Sequence, residues 1–345
     1  MKIGMMAAWN QTSGVSIHAE LVGREWARAG HKLRVFSFLE EDFHGHSLIG
    51  VDEEYVIRCF GTPVRSNYLN AIPFLTEDYD FFVVQDLGML PRNKLALIFP
   101  LIKRKAKTIL IVHANKLTDD PSFYQFDWDA LVCFDHRYES FLKGIYPEEK
   151  VHVIPFPCHH WIEEDQEKAR RKLKLPLDKK IIFVFGQKWR DMLGTVPAIA
   201  ELREEYPLHL LVFSGAQRVH GFERLKGITV IRKEVLEHER IYDYFHAADA
   251  TIFGKHSKEG AVVSSTAHLI LGSGCPIVAR DSNFFEFMDK EVLKYRNLQE
   301  LKNCLVSAFE KDEKYEICRK AARKYTEENS SQRIARTLVE LFRRL

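Results

Sequence analysis

The chain has 345 residues, 46% of them hydrophobic and 28% charged, with a net charge of +2. That length suits two ordinary α/β domains, and so balanced a charge argues against nucleic acid as a partner. No apolar run approaches the roughly 18–20 residues of a membrane span, so a cytoplasmic protein is expected. Six cysteines (Cys59, Cys133, Cys158, Cys275, Cys304 and Cys318) are scattered without a C-x-x-C pair and are expected to be reduced.

Residues 2–6 open the chain as a strand. Residues 16–29 carry a helical stripe of Ile17, Leu21, Val22 and Trp26, and Gly30 stands where a helix-ending glycine belongs. Further strands are expected at 33–39, 81–85, 108–113, 130–134 and 151–154. Most are continuously apolar, as parallel strands covered on both faces are. Helices are expected over 92–105 and 137–143. This alternation predicts a doubly wound α/β unit. Pro155 and Pro157 then mark a linker, because two prolines in three residues resist both helix and central strand. The pattern restarts with a charged helix over 163–174, a strand over 181–185 and a helix over 196–204. Strands at 208–213 and 228–231, a helix over 240–247, a strand at 250–253, a helix over 264–271 and a strand at 276–279 follow. Helices over 298–310, 314–325 and 331–344 finish the chain. The expectation is an N-terminal Rossmann-like domain over 1–157 and a second over 158–327. Their sheets would face a cleft at the C-terminal strand edges, where ligands of such folds bind.

Four segments carry residues suited to chemistry. Ser13, Gly14 and Val15 join the first strand to the first helix. Glycine there lets backbone approach a ligand, while the plain structural reading is a turn with Thr12 or Ser13 capping the helix. His18, one turn further, reads as an ordinary surface histidine. His113 ends the strand TILIVH, where a polar side chain meets a ligand hydroxyl or acts as a base. Asp86, after FFVVQ, has a similar place and a weaker case. Gly186 is followed by Lys188 and Arg190, two cations that can meet a departing diphosphate. The loop 254–260, with Glu259 and Gly260, leads into a helix opening at Ser264, Ser265 and Thr266. A helix N-terminus suits an anion such as phosphate, and a carboxylate just before it suits sugar hydroxyls. The expected ligand is a nucleoside diphosphate carrying a sugar.

Other signals are set aside. Cys158, His159 and His160, like His44 and His46, lack companion ligands at a metal-site spacing, so no metal is expected. Lys103, Arg104, Lys105 and Lys107 complement a helix dipole. Their alternative role is peripheral contact of the N-terminal domain with an anionic inner membrane surface.

The order of these segments resembles the GT-B retaining glycosyltransferases of family 4. SGVSIHAELVGREWARAGHKLRVFS resembles that family's glycine loop, first helix and second strand. TILIVHA is similar to its histidine-ending strand, VHVIPFP to its linker and IIFVFGQKWR to its phosphate segment. YDYFHAADATIFGKHSKEG through GSGCPIVARDSNFFE is similar to its nucleotide-sugar signature. NSSQRIARTLVELFRRL resembles its final helix, which implies that residues 328–345 cross back to complete the first domain. The resemblance implies a retaining, metal-independent hexosyltransferase with a nucleoside-diphosphate sugar as donor substrate and no cofactor. The acceptor, a glycan, a lipid-linked sugar or a small molecule, is implied to lie mainly on the first domain. Gly14 and Val15 are implied beside the donor phosphate, His113 near the transferred sugar, Lys188 and Arg190 on the diphosphate, and Glu259 on the sugar hydroxyls. Gly186, Gly260, Ser264, Ser265 and Thr266 are implied to line the donor. Attack is implied from the front face, with the leaving phosphate as base.

The chain departs from that pattern at four places. Gln187 stands where an arginine is usual and Leu193 where a lysine is usual, and Phe156 replaces a linker asparagine. The second signature glutamate is absent, since eight positions beyond Glu259 stands Ala267. Two other readings stay open on the sequence: a non-catalytic relative that binds a glycan or protein, and an epimerase or phosphorylase on the same fold.

Overall fold

A computed structural model describes residues 1–42, 49–186, 189–213, 225–227, 229–232 and 238–345. The chain divides into two units. Residues 1–157, 259–261 and 331–345 form the first, and residues 158–258 and 262–330 the second.

The first unit begins with β1 (Lys2–Met6), α1 (Gly14–Arg28), β2 (Lys32–Phe38), β3 (Val56–Phe60), α2 (Ala71–Thr76) and β4 (Phe81–Gln85). It continues with α3 (Arg92–Lys105), β5 (Lys107–Ile111), β6 (Ala130–Cys133), α4 (His136–Leu142) and β7 (Val151–Val153). Its seven strands lie in the order β3-β2-β1-β4-β5-β6-β7, all parallel. Met5 faces Val35 on one side and Val83 on the other, so β1 is central and the strand order reverses beside it. The centre of this sheet is continuously apolar because helices cover both faces. The edge strand β3 escapes the hydrophobic pattern, since Arg58 interrupts it and pairs with Asp52 at 2.7 Å. Ser13 caps α1 by accepting from the Ser16 N–H, and Gly30 beyond the helix takes φ +80°. His18 is a correction. It is buried, because it shares the inward face of α1 with Val22, one turn on.

The second unit contains α5 (Gln166–Leu173), β8 (Lys180–Val184), α6 (Trp189–Met192), α7 (Val196–Leu202), β9 (Leu208–Phe213) and β10 (Thr229–Arg232). It continues with α8 (His238–Ala247), β11 (Ala250–Phe253), α9 (Ser265–Leu271), β12 (Ile277–Arg280), β13 (Leu293–Tyr295), α10 (Leu298–Glu310) and α11 (Glu313–Glu328). Its six parallel strands run β10-β9-β8-β11-β12-β13, with the reversal between β8 and β11. Ile228, expected to open a strand, lies outside the described residues. The three-residue β13 is too short to show a period in sequence. A buried ion pair fastens this unit: Arg170 Nη2 meets Asp249 Oδ2 at 2.6 Å, and the same oxygen accepts from the Ile181 N–H. Removing one partner of such a pair leaves a buried charge uncompensated.

The last helix, α12 (Ser331–Phe342), belongs to the first unit. The Trp26 indole N–H donates to the Ala335 carbonyl at 2.9 Å, and the Trp26 ring lies against Phe342. Among the described residues no helix is long and apolar enough to cross a membrane.

Candidate functional site

In the second unit the strand-order reversal opens between β8 and β11, and the loops leaving both strands carry glycines where backbone meets backbone or side chain. Gly186, just past β8, has φ +67°, a conformation costly for any residue with a β-carbon. A β-carbon there would stand 2.6 Å from Thr266 Cγ2 and 2.7 Å from Thr266 Oγ1. The loop after β8 and the first turn of α9 are therefore in direct contact. Gly254, just past β11, lies so close to the Asp191 carbonyl that any side chain would overlap it.

Ser264 caps α9, its hydroxyl accepting from the Ala267 N–H at 3.2 Å. Ser264 and Thr266 are buried, and Ser265 is half-buried. His268 continues the turn: its Nδ1 lies 2.8 Å from the Ser264 carbonyl, so Nδ1 carries the proton that is donated. Burial pushes the His268 pKa down to about 4, which keeps the ring neutral. Arg190 is exposed in the first turn of α6. Lys188 lies outside the described residues, as do Gln187, His44 and His46.

In the first unit His113 follows β5 at the C-terminal edge of the sheet. Its Nε2 lies 3.0 Å from Gln85 Oε1, at the end of the neighbouring β4. The amide oxygen can only accept, so Nε2 carries the proton and Nδ1 is left as an acceptor. Edge-on rings of His18, Phe134 and Phe156 surround it, and Phe156 packs on His18 and Phe134 as well. This apolar enclosure pushes the His113 pKa down to about 3. His113 is therefore a neutral hydrogen-bonding group at physiological pH and a poor proton acceptor. The linker substitution Phe156, itself buried, closes that enclosure. Gly14 is the first residue of α1 and Val15 is buried behind it, the arrangement of a capped helix start.

Residues 259–261 are stapled to the loop after β5. The Asn115 side-chain amide donates to the Glu259 carbonyl at 2.6 Å, and the Ala261 N–H donates to the Asn115 carbonyl at 2.8 Å. Gly260 takes φ +80° against that same carbonyl, where a β-carbon would overlap it. The Glu259 carboxylate pairs with Lys116 at 2.5 Å. Glu259 is 76% exposed in that pair, so water screens the attraction and a ligand can displace Lys116 at small cost.

Sequence reasoning passed over Gln85, Asn115, Lys116 and Arg280. Gln85 and Arg280 share one readable signal, a polar residue ending an apolar strand, as in FFVVQ and PIVAR. Asn115 and Lys116 carry no such signal. Asp86 takes φ +60° and accepts from the Gly88 N–H, which makes it the pivot of a tight turn. Beside it a hollow is lined by Leu87, Val112, Leu117, Phe123, Tyr124 and Tyr146. Among the described residues no three His, Cys, Asp or Glu side chains gather as a metal site.

No protein-family model matches the chain. Solved structures do. Anabaena HepE in complex with UDP-glucose aligns over 100% of both chains with a TM-score of 0.72 at 12% identity. Sucrose-phosphate synthase from Thermosynechococcus elongatus aligns over 100% of this chain and 98% of its own, with a TM-score of 0.69 at 15% identity. A glycosyltransferase from Rickettsia africae covers 99% of this chain and 98% of its own, with a TM-score of 0.69 at 15% identity. The fold is GT-B, that of glycosyltransferases.

Proposed function

We propose that this chain is a hexosyltransferase of the family 4 kind, moving a sugar from a nucleoside diphosphate to a hydroxyl acceptor with retention of configuration. The observation that carries the reading is the apposition of Gly186 and Thr266 at the strand-order reversal of the second sheet. Backbone without a side chain meets a hydroxyl there, at the edge where open α/β sheets take ligands. The UDP-glucose in the HepE complex supports a nucleotide-sugar donor.

On this reading the second unit holds the donor and the first unit the acceptor. The bond from the anomeric carbon to the diphosphate oxygen breaks. The acceptor oxygen bonds that carbon on the same face, and its proton passes to the leaving phosphate. Charge on the departing diphosphate grows, so donors aimed at it lower the barrier. Arg190, Lys188 and the first turn of α9, with Ser264, Ser265 and Thr266, fill that role in place of a metal ion. Neutral His113 orients a sugar hydroxyl through Nδ1. Glu259, released from Lys116, accepts from donor hydroxyls. Gly14 and Val15 let the start of α1 approach the donor.

We also propose cytoplasmic residence with peripheral membrane contact through α3. Leu97 and Leu101 stand 75% and 45% exposed on a helix whose charged residues are all basic. Lys94 and Arg104 flank them on the same exposed face. A basic and apolar helix face suits an anionic bilayer surface.

The test is a thermal-shift panel of UDP, GDP, ADP, CDP and their sugar conjugates, followed by an assay with the donor that binds. A ligand of the folded state raises the melting midpoint. Product of retained anomeric configuration, formed in the presence of EDTA, is expected. Binding of no nucleotide at millimolar concentration would overturn the reading, and inverted product would overturn its stereochemistry.

A further inference from the structure

The pattern that this chain resembles places two cations after the first strand of the donor-side domain, and here Gln187 and Leu193 stand at those positions. Leu193 packs against the apolar core under β8 and brings no charge. A guanidinium comes to the same place from another strand. Arg280 ends β12, at the C-terminal edge of the second sheet, and a β-carbon on Gly194 would lie 3.4 Å from its Nη2. Gly194, next to Leu193, is exposed.

Arg280 is held for reach rather than for an ion pair. It is half-buried, and its Cζ lies 5.5 Å from the Tyr295 ring centroid, within the range of cation–π attraction. Tyr295 is its register partner on β13 and donates to the Phe253 carbonyl at the end of β11. The neighbouring carboxylate, Asp281, is occupied by Arg296 at 2.9 Å. No carboxylate pairs with Arg280 among the described residues, and its buried Nε has no hydrogen-bond partner among them. A buried donor left unmade is costly, and an oxyanion reaching it recovers that cost.

We propose that Arg280 is a diphosphate-binding residue of the second unit, supplying from β12 the charge that Leu193 lacks. This inference rests on the donor reading above. Arg280 contacts the phosphates and not the nucleoside, which separates a binding role from a structural one.

The test is titration calorimetry of UDP, GDP, ADP and CDP and of the matching nucleosides against the whole chain and two variants. Arg280→Met keeps the stem over Tyr295 and removes the charge. It is expected to weaken the bound nucleoside diphosphate by about tenfold or more, as loss of a charge-assisted hydrogen bond does, with nucleoside affinity unchanged. Adding Leu193→Lys to Arg280→Met is expected to restore at least half of the lost affinity, since a lysine stem can lie along the core and extend its charge to Gly194. Diphosphate affinity within twofold of the parent in Arg280→Met overturns the proposal. Equal loss of nucleoside and diphosphate, or no restoration by lysine, overturns it as well. A parent chain that binds none of the four diphosphates overturns the donor reading itself, and Arg280 falls with it.

Discussion

Gly186 and Thr266 touch so closely that position 186 has no room for a side chain. Thr266 Cγ2 stands 2.6 Å from the place a β-carbon on Gly186 would take, and the glycine is already at φ +67°. Gly186→Ala therefore carries two penalties, left-handed backbone and overlap, each on the order of 1–2 kcal/mol. The variant is expected to melt several degrees lower and to lose nucleotide binding. Thr266→Ala in the same chain removes only the overlap. A double-mutant cycle on melting midpoints should show positive coupling between the two sites, and simple additivity would mean that the contact is not made.

Acid should destabilise the fold through its buried histidines. The folded-state pKa of His268 is lowered to about 4 from an ordinary 6.5. The unfolded chain therefore binds the proton first as pH falls. The stability that this imidazole contributes is full above pH 6.5 and is lost as pH drops toward 4. The loss amounts to about 2 kcal/mol by pH 5 for one such group, and His113 acts in the same direction. Urea unfolding at pH 7.5 and pH 5 should show this fall, and His268→Gln should make the pH dependence shallower. An unchanged slope in that variant would place the acid sensitivity elsewhere.

Phe156 encloses His113 directly, its ring edge-on at 6.4 Å between centroids, and also through the rings of His18 and Phe134. Phe156→Ala opens a cavity among buried rings and is expected to cost about 3–5 kcal/mol. The same change admits water to His113, so its pKa should rise toward 6.5, readable from imidazole proton resonances. A variant that loses stability while His113 keeps its depressed pKa would show that Phe156 does not govern the histidine.

The exposed face of α3 gives a membrane prediction independent of catalysis. Leu97→Glu with Leu101→Glu should abolish sedimentation with vesicles containing phosphatidylglycerol, and Arg104→Glu should weaken it. Both leucines are already exposed, so melting should move by less than about 1 kcal/mol equivalent. Equal sedimentation of parent and variant would remove α3 from consideration.

Much of the fold is legible in the sequence because parallel strands buried on both faces stay apolar until they emerge. That is why 81–85 and 250–253 read as strands and why His113 stands out at a strand end. The unreadable strands are those that break the pattern: β3, carrying Arg58 at a sheet edge, and β13, three residues long with Lys294 in the middle. The short helices α2 and α6, six and four residues long, show no period either. His18 reads as a surface residue only if its one-turn spacing from Val22 is overlooked. The partners of the candidate residues are another matter. Gly186 meets Thr266 because loops leave the neighbouring strands β8 and β11 at one edge, Arg280 reaches Gly194 from β12, one strand further on, and Glu259 meets Lys116 143 residues away in the chain. Local periodicity carries no information about such pairs.

The return of α12 to the first unit sets an order of events during synthesis. Trp26 waits for the Ala335 carbonyl, 309 residues later in the chain. While the second unit is being made, the first is short of its closing helix, and the apolar surface around Trp26 stands uncovered. The first unit to be translated is thus the last to be finished. A nascent chain arrested before residue 331 should expose Trp26 to solvent quenching and be held by chaperones, and release of the final helix should end both together.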